Sequence, residues 1–178
     1  MGSDPAFVEA TRATGREMAR RGIGLVYGGG HRGLMGVIAD SVLDAGGEAY
    51  GVIPQALVDL EVAHTGLTEL HIVTSMHERK AKMTELTDAF VALPGGIGTF
   101  DELFEAWTWN ALGYHAKPFA LLNVAGFWDN LVELMDHVTA GGFISPARRA
   151  QLLVADTIDE AIDKLDTAIA AAERRMVW

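Results

Sequence analysis

Apolar positions along the chain follow two rhythms, short continuous runs and stripes at helical spacing, and the two alternate. Phe7, Ala10, Thr14 and Met18 recur at helical spacing after Pro5, with Thr14 the polar member, which predicts a first helix ended by Gly22. IGLVYGGG (23–30) reads as a short buried strand entering glycines, and GLMGVIADSVLDAGG (33–47) as a helix closed by Gly46 and Gly47. EAYGVIP (48–54) is a strand stopped by Pro54. The stretch from Gln55 to Thr68 has little periodicity and is expected to be a long functional loop. LHIVT (70–74) is a strand, followed by the helix SMHERKAKMTELT (75–87), where Ser75 and Glu78 stand in capping-box spacing.

The alternation continues. DAFVALPGG (88–96) is a buried strand running into a second glycine loop, and TFDELFEAWTWNALG (99–113) is a helix with capping-box spacing from Thr99 to Glu102. KPFALLN (117–123) is a strand, GFWDNLVELMDHVTAGG (126–142) a helix and QLLVAD (151–156) a short strand. Thr157 and Glu160 open a last helix with Ile158, Ile162, Leu165 and Ile169 on one face. Continuous apolar strands alternating with amphipathic helices predict a doubly wound, Rossmann-like α/β fold, a parallel sheet flanked by helices in one domain over residues 1–178. The opening MGSDPAF is loop-like and leads straight into a helix, whereas a doubly wound domain opens with a strand. The first strand is therefore expected to be missing from this chain, or to lie upstream.

Composition narrows the function. The net charge of −10 disfavours a nucleic-acid backbone as partner, so a phosphate ligand must be caught by a local site. The absence of cysteine removes disulfides, thiolate metal sites and a cysteine nucleophile. No apolar run reaches the length of a membrane span and no secretory signal is visible, which makes the cytoplasm the default location.

In an open α/β sheet, ligands bind beyond the carboxyl ends of the strands, where both glycine loops are predicted to lie. The first comprises Gly28, Gly29 and Gly30, then Gly33 and Gly36; the second comprises Gly95, Gly96 and Gly98 after Pro94. Glycines let backbone N–H groups approach a phosphate, though tight strand–helix turns use them as well. Gly28, Gly30 and Gly33 match G-x-G-x-x-G, but the next strand ends in GVIP without the acid a dinucleotide's ribose requires. A mononucleotide fits better than NAD, and without G-K-[ST] the loop is not a P-loop.

Arg79 and Lys80 crowd the start of the helix after LHIVT, together with His77, Glu78 and Lys82. A guanidinium suits a phosphate bidentately. A solvated helix face carrying a Glu78–Lys82 pair is the other reading, and spacing alone leaves both open. Glu102 has two readings as well. It caps its helix with Thr99, or it stands at a ribose, where a carboxylate stabilises the positive charge that develops as an N-glycosidic bond breaks, or activates the attacking water. Chemistry alone leaves Asp101 open beside it. The six histidines show no metal-ligand spacing, so no metal is expected. Ser41, Ser75 and Ser145 lack a nucleophile-elbow context. No lysine is recognisable as a Schiff-base residue with a pyridinium partner. Trp107 and Trp109 project to nearly opposite sides of a helix that is apolar nearly all round, which predicts burial against the sheet on one side and a second subunit, or the chain's own loops, on the other.

Three segments carry a resemblance to a known family: YGGGHRGLMG (27–36), SMHERKAKM (75–83) and LPGGIGTFDELFEAWTW (93–109). Together they resemble the Lonely guy (LOG) family of cytokinin riboside 5′-monophosphate phosphoribohydrolases, and the likeness covers nearly the whole chain. It implies a Rossmann-like homodimer with sites near the interface and no cofactor. The implied reaction hydrolyses N6-modified AMP to free base and ribose 5-phosphate. By matching position, Arg79 and Glu102 correspond to the catalytic pair. Lys80, the loop through Gly96, Ile97, Gly98 and Thr99, and Thr108 correspond to substrate contacts, as does Glu61 in a weakly matching stretch. Gly28, Gly29 and Gly30 join them as a phosphate-approaching loop. The family pattern leaves position 101 open, which favours Glu102 as the working acid. Family members begin with a strand ending in a glycine–serine loop, and GSDP resembles the end of that loop, which would bring Gly2 and Ser3 to the phosphate. A non-catalytic nucleotide or cofactor carrier and an AMP-salvage nucleosidase are the alternatives, with a NAD-dependent oxidoreductase weaker than either.

Overall fold

The computed structural model describes residues 2–58, 60 and 63–175. It divides into two compact units, Met1–Thr87 and Asp88–Trp178. The first contains α1 (Pro5–Arg20), β1 (Leu25–Tyr27), α2 (Gly33–Asp44), β2 (Ala49–Pro54), α3 (Gln55–Val58), β3 (Glu69–Val73) and α4 (Met76–Leu86). The second contains β4 (Phe90–Ala92), α5 (Ile97–Leu112), β5 (Phe119–Leu122), α6 (Asp129–Ala140), α7 (Pro146–Arg149), β6 (Leu152–Ala155) and α8 (Ile158–Arg175).

Each unit is built on a three-stranded parallel sheet, ordered β1-β2-β3 in the first and β4-β5-β6 in the second. Helices intervene between successive strands because a parallel pair needs a long crossover. The central strands are the most apolar and the most buried: Val52 and Ile53 of β2, and Phe119, Ala120 and Leu121 of β5, are fully enclosed. Both therefore read as continuous runs rather than alternating ones.

In the first unit α1 packs on α2 through a face that includes buried Thr11, Thr14 and Gly15. The two hydroxyls are satisfied locally, Thr11 donating to the Phe7 carbonyl at 2.6 Å and Thr14 to the Ala10 carbonyl at 2.8 Å. In the second unit Leu103, Trp107, Phe119, Leu121, Trp128, Leu131, Met135 and Leu152 form the core. Trp128 is fully enclosed, and Phe100 meets it edge-on at 5.1 Å between ring centroids. Ile158, Ile162 and Leu165 of α8 are buried as their spacing predicts, with Ile169 half-buried at the end of the stripe.

The Gln55–Thr68 stretch, expected to be irregular throughout, opens instead with the short helix α3 and returns to pair Ala63 with Gly30 in an isolated antiparallel bridge. The expected helix from Gly126 begins only at Asp129, after a 3-10 turn at Val124–Gly126. Among the described residues, no helix is long and apolar enough to cross a membrane.

Replacing Trp128 by alanine removes the largest fully buried side chain. Chemical denaturation is expected to show a loss of about 3–5 kcal/mol, the usual cost of emptying an aromatic core position.

Candidate functional site

The first unit places Arg79 against its glycine loop. Ser75 caps α4 by accepting the Glu78 N–H at 3.1 Å, as the spacing predicts. The Glu78 carboxylate turns back and accepts from both the N–H and the hydroxyl of Thr74, each at 2.7 Å. These bonds, the hydroxyl's first, hold the Glu78 carboxyl below its ordinary range. The Glu78–Lys82 pair of the solvated-face reading does not form: Glu78 is engaged at the cap, and Lys82 pairs with Glu85 at 3.1 Å.

One turn into this capped helix, Arg79 reaches the sheet. The β1–β2 register ends at Tyr27 and Gly51, so Val52 lies just past the last β1 partner. The Arg79 Nε donates to the Val52 carbonyl at 3.1 Å, and its Nη1 lies 3.9 Å from the Met76 sulfur. The Nη2 end lies over Gly28, where even a methyl group would overlap it. The first glycine of the loop thus leaves room for the guanidinium. Lys80, beside it, is half-buried.

Gly29 and Gly30 are buried and tied to the segment returning from α3: the His64 N–H donates to the Gly29 carbonyl at 3.1 Å. Tyr27, ending β1 beneath the loop, is buried, and its hydroxyl has no hydrogen-bond partner among the described residues. Burial first, and the Asp40 carboxylate second, push its phenol above the ordinary range. Glu61 lies outside the described residues.

The second unit presents the other loop. The helix α5 starts at Ile97, with Gly96 as its N-cap and no side-chain cap. The expected capping box from Thr99 to Glu102 is therefore absent: the helix begins earlier than an apolar stripe starting at Phe100 suggests, and both residues already lie within it. Thr99 instead closes the loop, its N–H donating to the Gly96 carbonyl at 3.0 Å, while its side chain fills the space a side chain at Gly95 would need. Gly96, Ile97 and Gly98 are exposed, Ile97 at 89%. Glu102 is half-buried, whereas Asp101 and Thr108 are exposed. Trp107 is buried and Trp109 half-buried, and Phe104 and Leu112 on the same helix face solvent.

The serines considered as nucleophiles have local structural roles. Ser75 and Ser145 cap helices, and Ser41 donates to the Val37 carbonyl at 2.6 Å. The histidines hold a grouping that spacing did not reveal: His31 and His64 converge with Asp40. The only sequence signal was that His31 adjoins the glycines and His64 lies in the aperiodic stretch; nothing paired them.

A family model described as "Possible lysine decarboxylase" matches residues 35–165. The cytokinin riboside 5′-monophosphate phosphoribohydrolase of Rhodococcoides fascians is 47% identical over 162 residues, covering 90% of this chain and 82% of that one. The Arabidopsis thaliana enzyme of the same name, LOG3, is 42% identical and covers 99% of this chain and 84% of its own. The chain belongs to the LOG family. Among solved structures, a molybdenum cofactor binding protein from Rippkaea orientalis shares the fold at a TM-score of 0.69 and 18% identity, covering 93% of this chain and 90% of that one. The glycine loops, the Arg79 helix and the helix carrying Glu102 fall within the length shared with the two LOG relatives.

Two outcomes test how the Arg79 helix is set. Ser75→Ala should lower stability by about 1 kcal/mol, the usual cost of a lost N-cap, measured by denaturant unfolding. An NMR titration should find the Glu78 carboxyl below the ordinary glutamate range, and Thr74→Val should move it back up. The cap that the carboxylate supplies is then present above the ordinary range and lost as pH falls through the lowered folded value.

Proposed function

We propose that the protein hydrolyses the N-glycosidic bond of an adenosine 5′-monophosphate, N6-modified in the cytokinin-activating case, releasing the free base and ribose 5-phosphate. The observation that carries this reading is the Arg79 guanidinium, anchored at Val52 and laid over Gly28, in a chain whose relatives are named for this reaction. In the reaction, water adds to C1′ of the ribose as the bond to the base nitrogen breaks. The bonding pair leaves with the base, which takes up a proton. Positive charge develops on the sugar, and the Glu102 carboxylate stabilises it and accepts a proton from the attacking water.

Arg79 supplies a fixed, planar pair of donors for the substrate's oxygens. Lys80, Thr99, Thr108 and Glu61 are proposed substrate contacts, and the backbone of Gly96, Ile97 and Gly98 supplies N–H groups for the nucleotide. Gly28, Gly29 and Gly30 are proposed substrate contacts of the first unit's loop. We place the enzyme in the cytoplasm as a homodimer, its contact including the apolar side chains that α5 leaves exposed, Phe104 and Leu112.

A second reading is favoured by one observation: a fold neighbour is a molybdenum cofactor binding protein. Fold alone does not decide between a carrier and an enzyme. Incubation with AMP and with isopentenyladenosine monophosphate, followed by an assay for ribose 5-phosphate, separates the two. Release well above the blank from at least one nucleotide is expected; none from either would favour the carrier. Glu102→Gln should lower kcat by about 10²- to 10⁴-fold, the range of a lost general base. Arg79→Lys, which keeps the charge but loses the fork and the Nε anchor, should lower kcat/KM by roughly 10- to 100-fold. Full rates in these variants would remove the residues from the mechanism.

A further inference from the structure

His31, Asp40 and His64 come from three separate stretches of the first unit, and their ligand-type atoms lie within 4.8 Å of one another. Only His64 is buried, its side chain 7% exposed against 51% for Asp40. Its Nε2 lies 2.8 Å from Asp40 Oδ1, its Nδ1 is 3.1 Å from the Gly66 backbone nitrogen, and the His31 ring meets it edge-on at 4.9 Å.

The Gly66 contact fixes the tautomer. A backbone N–H can only donate, so Nδ1 accepts, and the ring proton sits on Nε2 and is donated to Asp40. A histidine that ligates a metal usually does the reverse, binding through one nitrogen and donating the other N–H to an oxygen. A cation on Nε2 would have to displace the ring's proton while Nδ1 remained an acceptor. The arrangement therefore suits a proton between His64 and Asp40 better than a metal ion.

That bond closes a short circuit of contacts. The His64 N–H donates to the Gly29 carbonyl, Ala63 bridges Gly30, and the imidazole reaches across to Asp40 on α2, the helix that follows the glycine loop. The loop is held from its backbone on one side and from its own helix on the other. We infer that His64 is a positioning residue which, through its bond to Asp40, clamps the 63–66 segment onto Gly29 and Gly30 and so fixes the loop's shape for ligand binding. The effect on binding rests on the proposed role of this loop as a substrate contact; the clamp itself does not.

Asp40→Ala and Asp40→Asn test it, because Asp40 is half-exposed and its replacement leaves the buried core in place. Asparagine keeps an oxygen that can accept from Nε2; alanine does not. In Asp40→Ala, hydrogen exchange at the His64 and Gly66 amides should quicken by about tenfold or more, and KM for the nucleotide should rise roughly tenfold with kcat within about threefold. Asp40→Asn should restore both to within about threefold of the unaltered protein. Unchanged exchange in Asp40→Ala would overturn the clamp, and quickened exchange with unchanged KM would overturn its role in binding. Calorimetric titration with zinc alone should show no stoichiometric binding; a one-to-one site abolished by Asp40→Ala would make the cluster a metal centre instead. Exchange needs no turnover, so an unaltered protein that releases no ribose 5-phosphate would sink the proposed reaction while the amides still decide the clamp.

Discussion

The constraint on which the first unit's site depends is a volume kept empty at position 28. A methyl group there would occupy the place of the Arg79 Nη2. The guanidinium can lie against the loop because Gly28 carries no side chain at that point, and its Nε is bonded to the Val52 carbonyl. For the proposed role of Arg79 in holding substrate this would be preorganisation: a charged fork held in one orientation before a ligand arrives costs less order on binding than a free one. The capped start of α4 serves the same end, since Ser75 and Glu78 fix the turn from which Arg79 projects.

The second unit meets a related requirement by different means. Its loop after β4 is bare at Gly96 and Gly98, closed from within by Thr99, and runs into a helix whose cap makes no side-chain bond. The first N–H groups of that helix are left without a side-chain acceptor at the cap, the arrangement that favours an anionic ligand. The two loops thus share a physical logic, backbone made approachable by missing side chains, within two separately formed parallel sheets.

Much of this was legible in the sequence because it is local. The apolar runs that became β2 and β5, the stripe on α8 and the Ser75 cap each depend on residues a few positions apart. The motifs around Gly28, Arg79 and Glu102 were legible as a family likeness. What was not legible is long-range or depends on where a helix starts. Thr99 and Glu102 stand in capping-box spacing, yet the backbone turns helical before them, at Ile97. Glu78 stands at the right interval from Lys82, but donors at Thr74 capture it first. The contact of His64 with Asp40 spans 24 positions and a change of element, and no periodicity encodes it.

The most direct test of the space at position 28 is a double-mutant cycle read as affinity for ribose 5-phosphate, a ligand that does not turn over. Gly28→Ala, Arg79→Ala and the double variant are compared with the unaltered protein. If the glycine exists to admit the guanidinium, Gly28→Ala weakens binding by about tenfold when Arg79 is present and by less than about twofold when it is alanine. Equal losses in both backgrounds would contradict the account, because position 28 would then act on the ligand independently of Arg79.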